Sequence, residues 1–505
     1  VNHLIIVPVL LPLLTGVLLI LLTGHRLALL RAVSLLSALA LVLVSVELLL
    51  SATSGRIEVY ALSNWAPPFG IILVLDRLSA LMLLVTSLLA FFSMAYAARE
   101  KDRRDNLHGL SHFLLMGVNG AFLTGDLFNL FVFFEILLLA SYAMLLHGGG
   151  ARRARSGLHY VILNLAGSAL FLIAVSALYG ITGTLNMADL SVKVGQLSPA
   201  DAPLAATAAV LLFLVFGLKA AIVPLYFWLP QAYAAARAPV AALFAIMTKV
   251  GVYAILRVYT LIFGDNAGVL ANMILPWLWP IALSTLVLGL IGALAARELR
   301  MQIAYLVVVS VGTLLAGVAL NSEPAISATI YYLLHSTWVC GAFFLLADVI
   351  KGQRGAAADH IVTGPVMPQS ALLGGLFFFA AVSIVGLPPL SGFVGKIMLL
   401  QATEGSSQSL WLWIILLGGG LLSILALSRS GSTFFWRTED RVADAPKTDP
   451  LALLAVIGLL SMSLWLSLAG SEVMTYTQAL ALQLMTPDLY IHAVQTFKPL
   501  EGVHP

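Results

Sequence analysis

Five residues that can hold or pass a proton stand inside long apolar runs: Glu135, Lys219, Lys249, His335 and Lys396. A charge at mid-membrane costs roughly 2.5–3.5 kcal/mol even on insertion scales. Lys219 lies in a run that begins near Leu204, and Pro224 interrupts that run five residues later. Proline removes a backbone donor and breaks the helical ladder. The pair predicts a broken membrane helix that keeps an ionisable group against protein or a water-lined path. Glu135 stands between Leu127 and Tyr142 with no basic residue on its own helix. Phe128, Glu135 and Tyr142 are spaced by seven and share one helical face. Burial favours the neutral form of a carboxyl or an amine, and an opposite charge nearby favours the charged form. Lys219 is the natural partner. The plain alternative is a protonated glutamate that pins two helices together.

Lys249 follows Ala241, Ala242 and Ala245, small residues that permit close helix packing. It is too deep in its span to snorkel easily to either interface. Arg257, two turns along the same face and nearer the outer interface, is as well explained by snorkelling. His335 shares a face with Tyr331, Tyr332 and Trp338. Histidine titrates near neutrality and passes protons between its two nitrogens. The alternative is a core histidine satisfied by a tyrosine or by backbone. No second ligand stands at i+3 or i+4, so no metal site is expected there. Lys396 follows Val385-Gly-Leu-Pro388-Pro389-Leu-Ser-Gly-Phe-Val-Gly395, a second stretch that should break a helix next to a lysine. Asp76 with Arg77, Asp126, Asp348 and Glu47 read as residues of helix ends and turns. Tyr160, Asn164, Gly167 and Ser168 form a polar stripe that reads as packing or water contact.

The elements that must position these groups are membrane helices. Of 505 residues, 61% are hydrophobic and 10% charged, with mean hydropathy +1.01. Soluble domains average about half apolar and a quarter charged. Continuous rather than alternating apolar runs exclude a membrane β-barrel. A net charge of +3 without a basic tract makes nucleic acid an unsuitable partner. Cys340 stands alone, so no internal disulfide and no cysteine-held cluster is expected. No GxGxxG, Walker or CxxC pattern occurs, hence no cofactor site is expected.

Runs of membrane-spanning length fall at roughly 4–22, 27–50, 71–97, 110–125, 127–146, 158–180, 204–229, 239–264, 270–296, 303–320, 325–350, 371–400, 409–428 and 450–470. These predict an all-α polytopic membrane protein of about 14 transmembrane helices in one membrane domain over 1–505, with a polar tail from Gly470. With the N-terminus outside, cytoplasmic loops carry 18 lysines and arginines and external segments 4, as the positive-inside rule requires. The cytoplasmic set includes Arg26, Lys101, Arg103 and Arg104, besides Arg300 and Arg354. Both termini are therefore expected outside the cell membrane. Breaks in spans 7 and 12, five helices apart, point to inverted repeats with an ion path at their interface. The proposed repeats are spans 4–8, over 110–264, and spans 9–13, over 270–436. Helices 1–3 lie in 1–109, and the last helix and tail in 450–505.

One carboxylate, three lysines and a histidine suit stepwise proton transfer. Lysine only donates and cannot coordinate Na⁺, which needs carboxylate or carbonyl oxygens.

Four motifs together carry a family resemblance. They are Asp126-Leu-Phe-Asn-Leu-Phe-Val-Phe-Phe-Glu135, Lys219 before Pro224-Leu-Tyr-Phe-Trp-Leu-Pro230, Thr248-Lys249-Val-Gly-Val-Tyr-Ala-Ile and Gly386-Leu-Pro-Pro-Leu-Ser-Gly-Phe393. Over nearly its whole length the chain resembles the antiporter-like subunits shared by respiratory complex I and the Mrp-type cation/proton antiporters. It looks most like the D-type subunits of the Mrp branch, and is much shorter than the A-type. The resemblance implies a 14-helix fold with two inverted five-helix repeats. It implies Glu135 and Lys219 as the coupling pair, Lys249 as central relay, His335 as connecting relay and Lys396 as distal proton site. It further implies a secondary transporter subunit rather than an enzyme, in a complex of several different subunits that exchanges Na⁺ (or K⁺, Li⁺) for H⁺. The same fold in a redox-driven pump, complex I or a membrane hydrogenase, is the second reading.

Overall fold

The computed structural model describes residues 2–22, 27–99 and 106–498; Arg26, Lys101, Arg103 and Arg104 lie outside them. The spans are α1 (Val7–Leu21), α2 (Leu27–Thr53), α3 (Arg77–Ala97), α4 (Leu107–Leu123), α5 (Leu127–Leu146) and α6 (Ala151–Thr182). A short α7 (Met187–Gly195) precedes the first interrupted span, α8 (Ala202–Ala220) with α9 (Trp228–Ala235). Next come α10 (Ala238–Leu261), α11 (Leu275–Ala295), α12 (Leu299–Ala319) and α13 (Glu323–Gln353). The second interrupted span is α14 (Ser370–Val385) with α15 (Ser391–Gln401), followed by α16 (Ser409–Phe435) and α17 (Pro450–Leu468). Among the described residues, 12 helical stretches are long and apolar enough to cross a membrane, and α4 and α14 are shorter apolar helices. The class and the two interruptions are as expected.

Two features depart from the expectation. Two small sheets, each of two strands, join loops. One pairs β1 (Glu58–Ala61) with β2 (Ile72–Leu75) antiparallel; the other pairs β3 (Gly364–Val366) with β4 (Thr438–Val442) in parallel. The segment from Gly470 is also no plain polar tail. It forms α18 (Gly470–Leu484) and α19 (Pro487–Gln495). Gly470, Thr477, Leu480, Ala481 and Leu484 make a buried helical stripe on α18. Tyr476 Oη donates to the Arg77 carbonyl at 2.8 Å, and Gln483 Oε1 accepts from Arg77 N at 3.0 Å. An amphipathic helix of this kind scores poorly as a membrane span and well as a cap on one.

Burial is graded from centre to rim. The membrane window of α10 is wholly buried and that of α13 is 94% buried, against 33% for α2 and α16. The two innermost helices therefore carry Lys249 and His335.

Polar groups near the helix ends are more engaged than the sequence suggests. Asp76 caps α3 in a reciprocal box with Ser79, at 2.8 and 2.9 Å. Its other oxygen lies 2.6 Å from Arg257 Nη2, with both side chains about 95% enclosed. Arg257 thus does not snorkel; it lies against the rings of Tyr253 and Tyr490, 5.5 and 5.3 Å from their centroids. Asp348, near the end of α13, pairs with Arg99 at 2.6 Å. Arg300 and Arg354 are buried rather than loop charges in water. Arg300 pairs with Asp359 at 3.1 Å, and Arg354 donates to the carbonyls of Ala358, His360 and Val362. A guanidinium's fixed fork suits such multiple acceptors.

Candidate functional site: a row of enclosed proton-exchanging groups

First of the five along the chain, Glu135 is half-buried on α5. Its Oε1 accepts a short hydrogen bond from Ser168 Oγ on α6. Lys219, 7% exposed at the end of α8, donates to Asn164 Oδ1 at 2.9 Å. Asn164 is oriented by its own donation to the Tyr160 carbonyl at 2.8 Å, and Ser168 Oγ lies 3.0 Å from the Asn164 carbonyl. The expected pair is therefore joined through α6. No ion pair within 4.0 Å links Glu135 to Lys219 among the described residues. The polar stripe read from the sequence as packing is the bridge between them. Gly167, inside that stripe, lets α8 approach: a Cβ there would stand 2.7 Å from Leu218 Cδ2.

The break after Lys219 is bridged by side chains of other segments. Ala221 takes a left-handed conformation, φ +64°. The freed Leu218 carbonyl accepts from the Trp228 indole at 3.1 Å, and Val223 N donates to Thr285 Oγ1 of α11 at 3.0 Å. An interrupted helix is tolerated in a membrane when neighbours re-satisfy its backbone in this way.

Lys249 is fully enclosed. Ala241, Ala242 and Ala245 are buried, as close packing of α10 requires. The ammonium donates to Ser310 Oγ on α12 at 3.1 Å. Two residues on, Gly251 touches the end of α8: a Cβ there would collide with the backbone nitrogen of Ala220. The helix of Lys249 thus presses on the backbone immediately after Lys219.

His335 is also fully enclosed, and its Nδ1 lies 2.8 Å from Ser391 Oγ at the start of α15. Tyr331 and Trp338 bond elsewhere, to the Leu466 and Val85 carbonyls, while the Tyr332 ring lies 5.6 Å from the imidazole. His335 Nε2 has no hydrogen-bond partner among the described residues. Lys249 and Lys396 both lie within electrostatic reach of it.

Lys396, half-buried on α15, donates to the Val385 carbonyl at 2.6 Å, an acceptor that the second break leaves free. Gly386 turns the chain there at φ +84°. Lys396 also lines a cavity of about 290 Å³ with Val385, Gly386, Leu416 and Gly420.

Sequence reading thus located the five ionisable groups. It read Asn164 and Ser168 as packing or water contact, did not single out Ser310 or Ser391, and did not pair Asp76 with Arg257. Single serines and asparagines in membrane helices commonly act as helix glue, so their spacing carries little signal.

A polytopic helical membrane protein with two interrupted spans and with amines, an imidazole and a carboxyl inside its helices fits one class, the membrane subunits of ion transporters. Residues 124–423 match the family model described as NADH:quinone oxidoreductase/Mrp antiporter, TM. The chain is 41% identical over 520 residues to the probable K(+)/H(+) antiporter D subunit of Rhizobium meliloti strain 1021, covering 96% of each. It is 39% identical over 499 residues to the Na(+)/H(+) antiporter D subunit of Bacillus subtilis strain 168, covering 98% of this chain and 99% of that protein. A chain of the Mrp complex from Dietzia sp. DQ12-45-1b shares its fold with a TM-score of 0.87 at 28% identity, over 98% of this chain and all of that one. The protein belongs to the family of membrane subunits shared by NADH:quinone oxidoreductase and the Mrp antiporters.

Proposed function

We propose that the chain is the proton-translocating, D-type subunit of a multisubunit monovalent cation/proton antiporter in the cytoplasmic membrane, with both termini outside. The observation that carries this reading is the graded row itself. Lys219, Lys249 and His335 are enclosed, and Glu135 and Lys396, the first and last of the five along the chain, are half-buried. Near-complete matches to proteins named as D subunits of Na⁺/H⁺ and K⁺/H⁺ antiporters support it. In this reading Glu135 and Lys219 couple through Ser168 and Asn164, and Lys249 relays to His335. Lys396 is the distal proton site at the second break. Residues 110–264 and 270–436 act as the two repeats between the N-terminal helices (1–109) and the last helix with its caps (450–505). The exchanged cation is Na⁺ or K⁺; the five groups include a single carboxylate, and their ammonium groups only donate and cannot coordinate it.

The test is exchange in everted vesicles holding the whole complex. Lys219→Ala and Glu135→Ala should each abolish cation-dependent dissipation of the pH gradient at normal complex abundance. Normal exchange by either variant would refute the coupling role. The family also includes subunits of redox-driven pumps. A purified complex with flavin or iron–sulfur absorbance would establish that alternative.

A further inference from the structure

Three serine hydroxyls stand in a line behind His335. His335 Nδ1 lies 2.8 Å from Ser391 Oγ, Ser391 Oγ lies 2.7 Å from Ser463 Oγ, and Ser463 Oγ lies 2.5 Å from Ser383 Oγ. All four residues are fully enclosed. They come from four helices: α13, α15, α17 and α14. Ser463 stands on α17, outside both proposed repeats, so the line ties the last span to the site. Each hydroxyl both donates and accepts. A row of them has only two self-consistent orientations, and each corresponds to one state of the imidazole nitrogen at its end.

We propose that Ser383, Ser463 and Ser391 form a hydroxyl relay that delivers protons to His335 Nδ1 from the break between α14 and α15. The inference rests on the proton-transfer role proposed for His335. In the transfer, Ser391 gives its proton to Nδ1 and takes one from Ser463. Ser463 takes one from Ser383, and Ser383 takes one from water at the break, where Val385 and Gly386, two and three residues further on, line a cavity. Each step breaks one O–H bond and forms one O–H or N–H bond, with no change of electron count. One proton enters at Ser383 and one arrives on the imidazole. Nε2, which has no hydrogen-bond partner among the described residues, then gives its own proton to the amine of Lys249 when that amine is neutral, and the ring regains its starting tautomer as the hydroxyls rotate back. Gly392 keeps this geometry open: a Cβ there would collide with the Ser383 carbonyl and stand 2.8 Å from His335 Nε2. Ser391 also has a positioning role, since its hydroxyl fixes the plane of the ring.

Ser463→Ala removes the middle oxygen with little change of volume. In everted vesicles of the intact complex, cation/proton exchange should fall by about tenfold or more, within the scale of lost acid–base assistance. The rate ratio between H₂O and D₂O should change, and Ser463→Thr, which keeps a hydroxyl, should restore both. Ser461→Ala, on the same helix but bonded to the Gly458 carbonyl, should leave exchange unchanged. Normal exchange and an unchanged isotope effect in Ser463→Ala would overturn the relay. Equal losses in the alanine and threonine variants would overturn it too. If Ser463→Ala fails to assemble, Ser391→Ala removes the contact to the imidazole itself and is judged in the same way. His335→Ala separates the two levels: normal exchange there refutes the role of His335. Impaired exchange there beside a normal Ser463→Ala refutes only the relay.

Discussion

An ammonium whose neighbour is a single amide oxygen is held in place without being neutralised. That is the situation of Lys219, whose acceptor is Asn164 Oδ1. The amide cannot turn freely, because its NH₂ is committed to the Tyr160 carbonyl. A hydrogen bond to a charged group contributes roughly 1.5–3 kcal/mol. Asn164→Leu should therefore slow exchange by about tenfold or more, while Ser168→Ala, which spares the lysine's acceptor, should slow it less. Initial rates of gradient dissipation at matched complex abundance decide the order, and the reverse order would place the weight on the carboxyl side. At this scale the sequence was readable where a charge interrupts an apolar run, since a purely structural role rarely offsets that cost. It was not readable for Asn164, Ser168 or the serines behind His335. Each is a common residue on a membrane helix, and its meaning comes only from what stands opposite on another helix.

Between elements, the junctions are held by ion pairs that hydropathy does not show. Arg257 and Asp76 join α10 to the cap of α3, and Tyr490 of α19 covers them. Removing one partner of a buried pair leaves the other charge uncompensated, at a cost of about 3–5 kcal/mol. Arg257→Ala should accordingly lower the unfolding temperature of the purified complex, and Asp76→Asn should do so less, because the amide can still accept from the cap. Outside the membrane, Asp359 is driven up by burial, but the Arg300 charge and hydrogen bonds outweigh this and hold it below its ordinary value. A carboxylate shifted down adds stability above its unfolded value, about 3.9, and loses it as pH falls through the folded value. Asp359→Asn should thus be less stable than the parent at pH 7, and the gap should close only in strongly acidic solution. Thermal unfolding across pH measures it. Both interrupted spans were foreseen from proline beside lysine. The helices after Gly470 were not, because an amphipathic stripe on a polar helix resembles a solvated tail until its partner surface is known.

For the whole molecule, helix count and orientation followed from two independent patterns, apolar run length and the placement of arginine. The structure gives the first directly; labelling can test the second. In a Cys340→Ala background, a cysteine at Ser54 should react with an impermeant maleimide from outside. One at Arg155 should react only from the cytoplasmic side. Reversed reactivity would invert the proposed orientation. Burial rising from rim to α10 and α13 was not readable, since almost every helix is apolar all round and none declares which neighbours it has. The five groups also fall near the middle of their spans. Glu135, Lys219, Lys249 and His335 each stand near the middle of their helical runs, and Lys396 reaches back to Val385 at the middle of its own. A transmembrane voltage does work only on charge displaced along the membrane normal, about 2.3 kcal/mol per elementary charge per 100 mV. Hops between groups at one depth cross almost none of that field. The interior transfers should proceed at the same rate whatever the membrane potential, which leaves the voltage sensitivity of the exchanger to the legs by which protons enter and leave the row.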